Sequence, residues 1–203
     1  MVRSIAWLLL LPCALGCVRG GPSAPDGGEA ALDPRRCGPA VRGVGDEGAA
    51  HVPMGQAVSY RSNPPASGPH WPEWARWDSY PYALDREQWV HNLEHGGIVL
   101  LYNCPGVDGG GAPVDGGLSD GGTPRDGGLW PCPEITTPLR QLRDERGIDK
   151  WGIVRLLVTG DPKAPRRVSA VAWGWLYEAD QVDPAALRCF IDARYGRGPE
   201  DAP

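Results

Sequence analysis

The chain has 203 residues, six cysteines and a formal net charge of −5. A negative balance without a block of basic residues argues against nucleic acid as a partner. The length suits one domain with its own hydrophobic core, with residues left over for a flexible segment.

The start of the chain has the pattern of a bacterial secretory signal that ends in a lipidation site. Arg3 precedes an apolar run at 5–11 that is too short to span a bilayer. The tetrapeptide Ala-Leu-Gly-Cys that ends at Cys17 resembles a lipobox, although leucine is more usual at its first position. We therefore expect a signal peptide at residues 1–16, lipidation of Cys17 and a flexible tether at residues 17–36.

This start also predicts where the protein is located. A lipid anchor would hold it in the bacterial cell envelope, on the periplasmic side or in the outer membrane, with the membrane as its partner. If Cys17 is not lipidated, plain secretion is the alternative.

The cysteines that follow Cys17 number four, and an even number in an exported chain indicates two disulfides. We predict the pair Cys104–Cys132, because Cys104 ends a predicted strand and Cys132 precedes a predicted helix. The remaining pair is then Cys37–Cys189. A metal site of four cysteines is the alternative, but no pair has the usual C-x₂-C or C-x₄-C spacing.

In chain order, the first predicted element of the domain is a short strand at residues 57–60. The prolines and the glycine of residues 63–69 then exclude a helix and favour a stiff, extended loop that ends at His70. Tryptophans and tyrosines crowd residues 71–82, between prolines. That density is typical of aromatic packing in a coil segment, or of the wall of a pocket.

Residues 84–95 predict a helix with two different sides. Trp89, Val90 and Leu93 share one side, whereas the polar residues Glu87, His91, Glu94 and His95 gather on the other. A separation of four places the two imidazoles on the same helix face, which is a metal-ligand spacing. The paired glycines at 96–97 end the helix, and residues 98–102 predict a buried strand.

Between Cys104 and Cys132, the tripeptide Asp-Gly-Gly occurs four times, with its aspartates 7, 5 and 6 residues apart. Calcium-binding repeats keep a strict period and an apolar residue, and both are missing from this segment. Residues 106–129 are therefore predicted to be a disordered insertion rich in glycine and aspartate.

The last third of the chain predicts two more helices and two strands. A helix from 136 to 146 should turn Leu139 and Leu142 inward, and a last helix should run from Pro184 to about residue 196. Strands at 153–158 and 168–177 are expected to form an antiparallel pair. The fold class is therefore α+β, one domain at residues 37–199 with about three helices around a small, mainly antiparallel sheet.

Three motifs together give the chain a family resemblance: Pro64-Pro65-Ala66-Ser67-Gly68-Pro69-His70, Val90-His91-Asn92-Leu93-Glu94-His95-Gly96-Gly97 and Ala172-Trp173-Gly174. In their order and spacing they resemble the domain-of-unknown-function 3105 family. The resemblance covers residues 51–199 apart from the insertion, and it implies no established activity. By matching motif, it implies that a shared site would use five residues: His51, His70, His91, Glu94 and His95.

The histidine cluster predicts a mononuclear metal site. His70, His91 and His95 are the expected ligands, with His51 as the fourth and Glu94 either bound or orienting a ligand. Copper or zinc is the expected cofactor, because imidazole dominates the ligand set and the compartment is oxidising.

Two alternatives remain open at this point. The spacing H-x-x-E-H also occurs in zinc peptidases, where the glutamate polarises a water molecule, so a zinc-dependent hydrolase is possible. That class requires a longer helix and another acidic ligand, so the balance is against an enzyme. The other alternative is a metal-free envelope protein that uses its tryptophan-rich loop to bind a partner.

Overall fold

The computed structural model describes residues 32–104 and 130–203. The expected signal peptide, the lipidation site at Cys17, most of the tether and the insertion at 106–129 lie outside these residues. Within the described ranges, none of the helices is both long enough and apolar enough to cross a membrane.

The described residues form six strands and three α-helices, preceded by a short 3₁₀ helix at Pro34–Cys37. The strands are β1 (Val41–Gly43), β2 (Ser79–Ala83), β3 (Ile98–Tyr102), β4 (Leu156–Gly160), β5 (Val168–Ala172) and β6 (Trp175–Ala179). The helices are α1 (Arg86–Glu94), α2 (Pro133–Asp144) and α3 (Pro184–Arg194).

The six strands form one mixed sheet in the order β1-β6-β5-β3-β4-β2. β1 with β6, β6 with β5, and β5 with β3 pair antiparallel, whereas β3 with β4 and β4 with β2 pair parallel. The α+β class is therefore confirmed, and the expectation of a mainly antiparallel sheet is only partly right.

β3 organises this sheet because all five of its residues are buried. Alternate side chains of a strand point to opposite faces. Ile98 and Leu100 pack into a core with α2 and α3, whereas Val99 and Leu101 pack into a second core with α1. The sheet therefore separates α2 and α3 on one face from α1 on the other.

The predicted antiparallel pairing of 153–158 with 168–177 is wrong. β3 lies between β4 and β5 and bonds to both. A continuous apolar strand that is buried on both faces is most stable in the middle of a sheet, which places β3 there. The segment at 168–177 is also two strands, because Gly174 adopts a φ of 72° and turns the chain between β5 and β6.

Other differences lie in the coil before α1. Residues 57–60 form no strand, since the Val58 amide donates to the Glu87 carboxylate instead. The tryptophan- and tyrosine-rich residues 71–82, which we call the aromatic segment, include most of β2; the sequence pattern does not predict this strand because Pro81 interrupts it. β2 is an edge strand, where the missing amide of a proline is tolerated.

The predicted helices are present with shifted ends. Leu139 and Leu142 of α2 are buried, as are Leu187 and Phe190 of α3. Asp183 caps α3 by accepting hydrogen bonds from the next two free amides, which explains why this helix begins at its proline.

The structure pairs Cys37 with Cys189 and Cys104 with Cys132, which are the pairs expected from the sequence. The first bridge joins residues 152 apart and ties the 3₁₀ helix to α3; the second joins residues 28 apart. Two disulfides indicate an oxidising setting outside the cytoplasm.

The two bridges should differ in their contribution to stability. In the chain-entropy model the longer loop contributes about 5 kcal/mol and the shorter one about 3.5 kcal/mol. We expect the double variant Cys37→Ser/Cys189→Ser to lower the free energy of unfolding by about 1–2 kcal/mol more than Cys104→Ser/Cys132→Ser. Urea unfolding of both variants measures this, and an equal or reversed order would contradict the prediction.

Candidate metal centre

Four histidines and one glutamate converge beside α1. His51, His70, His91 and Glu94 each offer a ligand atom, and these atoms all lie within 4.8 Å of one another. His70, His91 and Glu94 are buried, whereas half of the His51 side chain is exposed. The cluster is therefore a buried polar group with one side open to solvent.

Two loop segments that run side by side position His51 and His70. The Val52 amide donates to the His70 carbonyl at 2.8 Å, and the His70 amide donates to the Ala50 carbonyl at 3.0 Å. Gly68 shapes the turn into His70 with a φ of 121°, and a Cβ at this position would lie 3.0 Å from the Tyr60 ring. The loop therefore requires glycine two residues before the histidine.

α1 supplies His91 and Glu94, and His95 caps its C-terminus. The aromatic segment covers this polar side of the helix, where the Asn92 amide group donates to the Ala75 carbonyl and accepts from the Ala75 amide. Trp74 lies over the rings of His91 and His95, with centroid distances of 5.2 and 4.9 Å. The polar side of α1 is therefore enclosed by the coil that precedes it.

Three of the imidazoles are oriented by the same kind of hydrogen bond. Nδ1 of His70 lies 2.8 Å from the Gly68 carbonyl, Nδ1 of His91 lies 2.7 Å from the Trp71 carbonyl, and Nδ1 of His95 lies 2.8 Å from a backbone oxygen of Pro203. A carbonyl only accepts, so each Nδ1 carries the proton. In the neutral ring, Nε2 is then left with its lone pair, which is how proteins orient histidines that bind metals.

These lone pairs point at one another. Nε2 of His91 lies 3.2 Å from Nε2 of His95, and Nε2 of His70 lies 2.9 Å from Oε2 of Glu94. Oε2 of Glu94 is also 3.8 Å from Nε2 of both His51 and His91. Contacts between acceptors become favourable only when a proton or a metal cation lies between them.

The electrostatics of the cluster keep His91 neutral. The pKa of His91 is lowered to about 4, mainly by burial; the hydrogen bond to the Trp71 carbonyl opposes this shift, and the neighbouring imidazoles of His70, His95 and His51 add to it. Its lone pair is therefore free near neutral pH, which is the protonation state that a metal ligand requires.

All five residues expected at the site lie together, but His95 has a different place from the one predicted. The helical spacing of the histidines predicts His95 as a primary ligand together with His70 and His91. The structure instead groups His95 with Glu94 and Glu200, and the group around His70 contains His51. His95 is separated from the first group because α1 ends at Glu94, so that the His95 side chain faces the end of the chain.

Sequence reasoning missed Glu200 and Arg155. The buried Arg155 guanidinium donates to the carbonyls of His95 and Ala202, and it pairs with Asp149 at 2.6 Å. It thereby joins the end of α1 to the end of the chain. Arg155 and His95 are 60 positions apart, so no local sequence pattern identifies Arg155 as part of this region. Gly196 and Gly198, which follow α3, do indicate a close approach of two backbone segments.

A substitution at Gly198, one of these two glycines, tests how the end of the chain is held in place. A Cβ at Gly198 would lie 2.1 Å from the Glu94 carbonyl oxygen and 2.3 Å from the Gly96 nitrogen. Since a Cβ cannot overlap these backbone atoms, Gly198→Ala should displace the residues after α3 and lower the free energy of unfolding by about 1–3 kcal/mol. Hydrogen exchange of residues 196–203 measures the displacement.

Gly147→Ala is the matched control, because a Cβ there would meet nothing within 4 Å. If Gly198→Ala leaves exchange and stability as they are in this control, the close approach does not hold the end of the chain.

Part of the chain matches a known protein family. Residues 51–111 match the family model described as "Protein of unknown function (DUF3105)", and this range contains all four histidines and Glu94. The match covers the first two of the three motifs and supports the resemblance to this family over these residues. No curated protein and no solved structure matches the chain.

Proposed function

We propose that this chain, whose residues 51–111 match the model of the domain-of-unknown-function 3105 family, binds a transition metal through His51, His70, His91 and Glu94. One observation carries the proposal. Buried imidazoles whose Nδ1 protons are already donated to carbonyls turn their Nε2 lone pairs toward each other and toward a carboxylate. A metal cation bound to His70, His91 and Glu94 satisfies three of these acceptors at once.

The donor set supports copper or zinc as the metal. Three imidazoles and one carboxylate are the nitrogen and oxygen donors that suit these ions. The hydrogen bonds at Nδ1 fix the His70 and His91 rings before binding, so little ordering free energy is lost when a metal binds. The exposed half of His51 provides a path by which the ion reaches the buried ligands.

The proposed setting is the bacterial envelope. Two disulfides fit an oxidising compartment, and the apolar start of the chain followed by Ala-Leu-Gly-Cys fits export and lipidation of Cys17. The protein would then present its metal site from a membrane anchor, on the periplasmic side or in the outer membrane.

Metal binding is tested by titrating chelator-treated protein with Zn²⁺ and with Cu²⁺, followed by calorimetry and elemental analysis. We expect tight binding by the wild type and a loss of at least about 100-fold in affinity for His91→Ala, since removing even an outer partner costs 10–100-fold. Circular dichroism checks that the variant stays folded, because His91 is buried and its removal also deletes the hydrogen bond to the Trp71 carbonyl.

Gln141→Ala provides the control. Gln141 is exposed on α2, across the sheet from the histidines, so this change should leave the affinity unaltered. The proposal fails if the wild type binds neither ion at micromolar concentration, or if His91→Ala and Gln141→Ala bind equally well.

The lipid anchor is tested separately. Acylation with two or three chains gives lasting membrane attachment, whereas a single chain is marginal. We expect Cys17→Ser to abolish labelling with a radioactive or clickable fatty acid and to move the protein from the membrane fraction to the soluble fraction. Unchanged labelling and partitioning would rule out the lipobox.

A further inference from the structure

The last residues of the chain lie against the C-terminus of α1. The Gly196 amide donates to the Gly96 carbonyl at 2.8 Å, and the Glu200 amide donates to the Glu94 carbonyl at 3.0 Å. Gly198 lies so close to Glu94 and Gly96 that it has no room for a Cβ. We call residues 196–203 the C-terminal segment; its packing brings one further carboxylate, that of Glu200, to the histidine cluster.

Glu200 forms a second group with residues of α1. Glu94, His95 and Glu200 each offer a ligand atom, and these atoms all lie within 4.8 Å of one another. Oε2 of Glu200 lies 3.6 Å from Nε2 of His95. Because Glu94 belongs to this group and also to the group of His51, His70 and His91, one carboxylate is shared by both.

His95 gives independent evidence for a ligand at this place. The residue is 4% exposed, and its Nδ1 proton is donated to a backbone oxygen of Pro203. Its Nε2 lies next to Nε2 of His91, whose own Nδ1 proton is donated to the Trp71 carbonyl. Among the described residues, Nε2 of His95 therefore faces a lone pair and carboxylates, and it lacks a hydrogen-bond donor.

We propose that Glu94, His95 and Glu200 bind a second divalent transition-metal ion, so that Glu94 bridges two metals. This inference rests on the proposed function, since the first ion would occupy the group of His51, His70, His91 and Glu94. Metal ions in paired sites lie about 3.5–4 Å apart. The 3.2 Å between the Nε2 atoms of His91 and His95 allows each to bind a different ion of such a pair.

The charge of the cluster is consistent with two ions. The first group supplies one carboxylate to a divalent cation, which leaves that group positive. Glu200 adds a negative charge beside it, and more than half of its side chain is exposed, so the second ion can exchange with solvent. A second cation that shares Glu94 is thus stabilised by a carboxylate of its own.

The number of bound ions tests the inference. Full-length protein, treated with chelator and kept in detergent, is titrated with Zn²⁺ by calorimetry and then analysed for metal. We expect two equivalents for the wild type and one for Glu200→Gln, whose remaining ion binds as tightly as the first ion of the wild type. Asp201→Asn is the matched control: it removes the neighbouring carboxylate, which pairs with Lys150, and it should retain two equivalents.

Copper provides a second readout that a merely structural Glu200 would not change. In the wild type, the first equivalent of Cu²⁺ should give an electron paramagnetic resonance signal, and the second should reduce it, because ions that share a carboxylate couple magnetically. Glu200→Gln should keep the signal of the first ion without this reduction.

Each outcome of the titration supports or overturns the second metal ion. No metal bound by the wild type would overturn both the proposed function and the second ion. One equivalent in the wild type, whether or not Glu200→Gln weakens it, would overturn the second ion and leave the proposed function intact. Two equivalents in Glu200→Gln would show that Glu200 is not a ligand, which also overturns the inference.

Discussion

The burial of polar side chains on one side of α1 is the constraint on which the rest of the structure depends. Burying imidazoles and a carboxylate costs free energy unless each polar atom has a partner. For the Nδ1 atoms, the chain meets this requirement with backbone oxygens from three separate places, those of Gly68, Trp71 and Pro203. The proline-rich loop, the aromatic segment and the end of the chain are therefore all held against one short helix.

The parts of the fold that depend on local pattern could be predicted. The period of α1, the apolar run of β3 and the capped start of α3 are each contained in about ten residues. The pairing of strands could not be predicted in the same way. β4 and β5 follow each other in the chain, yet the buried strand β3 separates them, and only the packing of the whole sheet decides that.

The residues of the candidate site also differ in whether a local sequence pattern predicts them. The spacing of His91 and His95 and the stiff loop before His70 indicated a cluster, because a helix and a proline-rich loop position side chains locally. Glu200 and Arg155 could not be found this way, since they reach the site through the packing of distant segments. The sequence also placed the polar residues of α1 away from its apolar side, but it did not predict that the aromatic segment would bury them.

The central claim is that the Nε2 lone pairs of the cluster bind a metal, and anomalous diffraction from crystals grown with Zn²⁺ tests it most directly. The account predicts an anomalous peak at the zinc edge about 2.0–2.1 Å from Nε2 of His70 and Nε2 of His91. Crystals in which zinc occupies only surface carboxylates, with no peak within bonding distance of these two atoms, would contradict it.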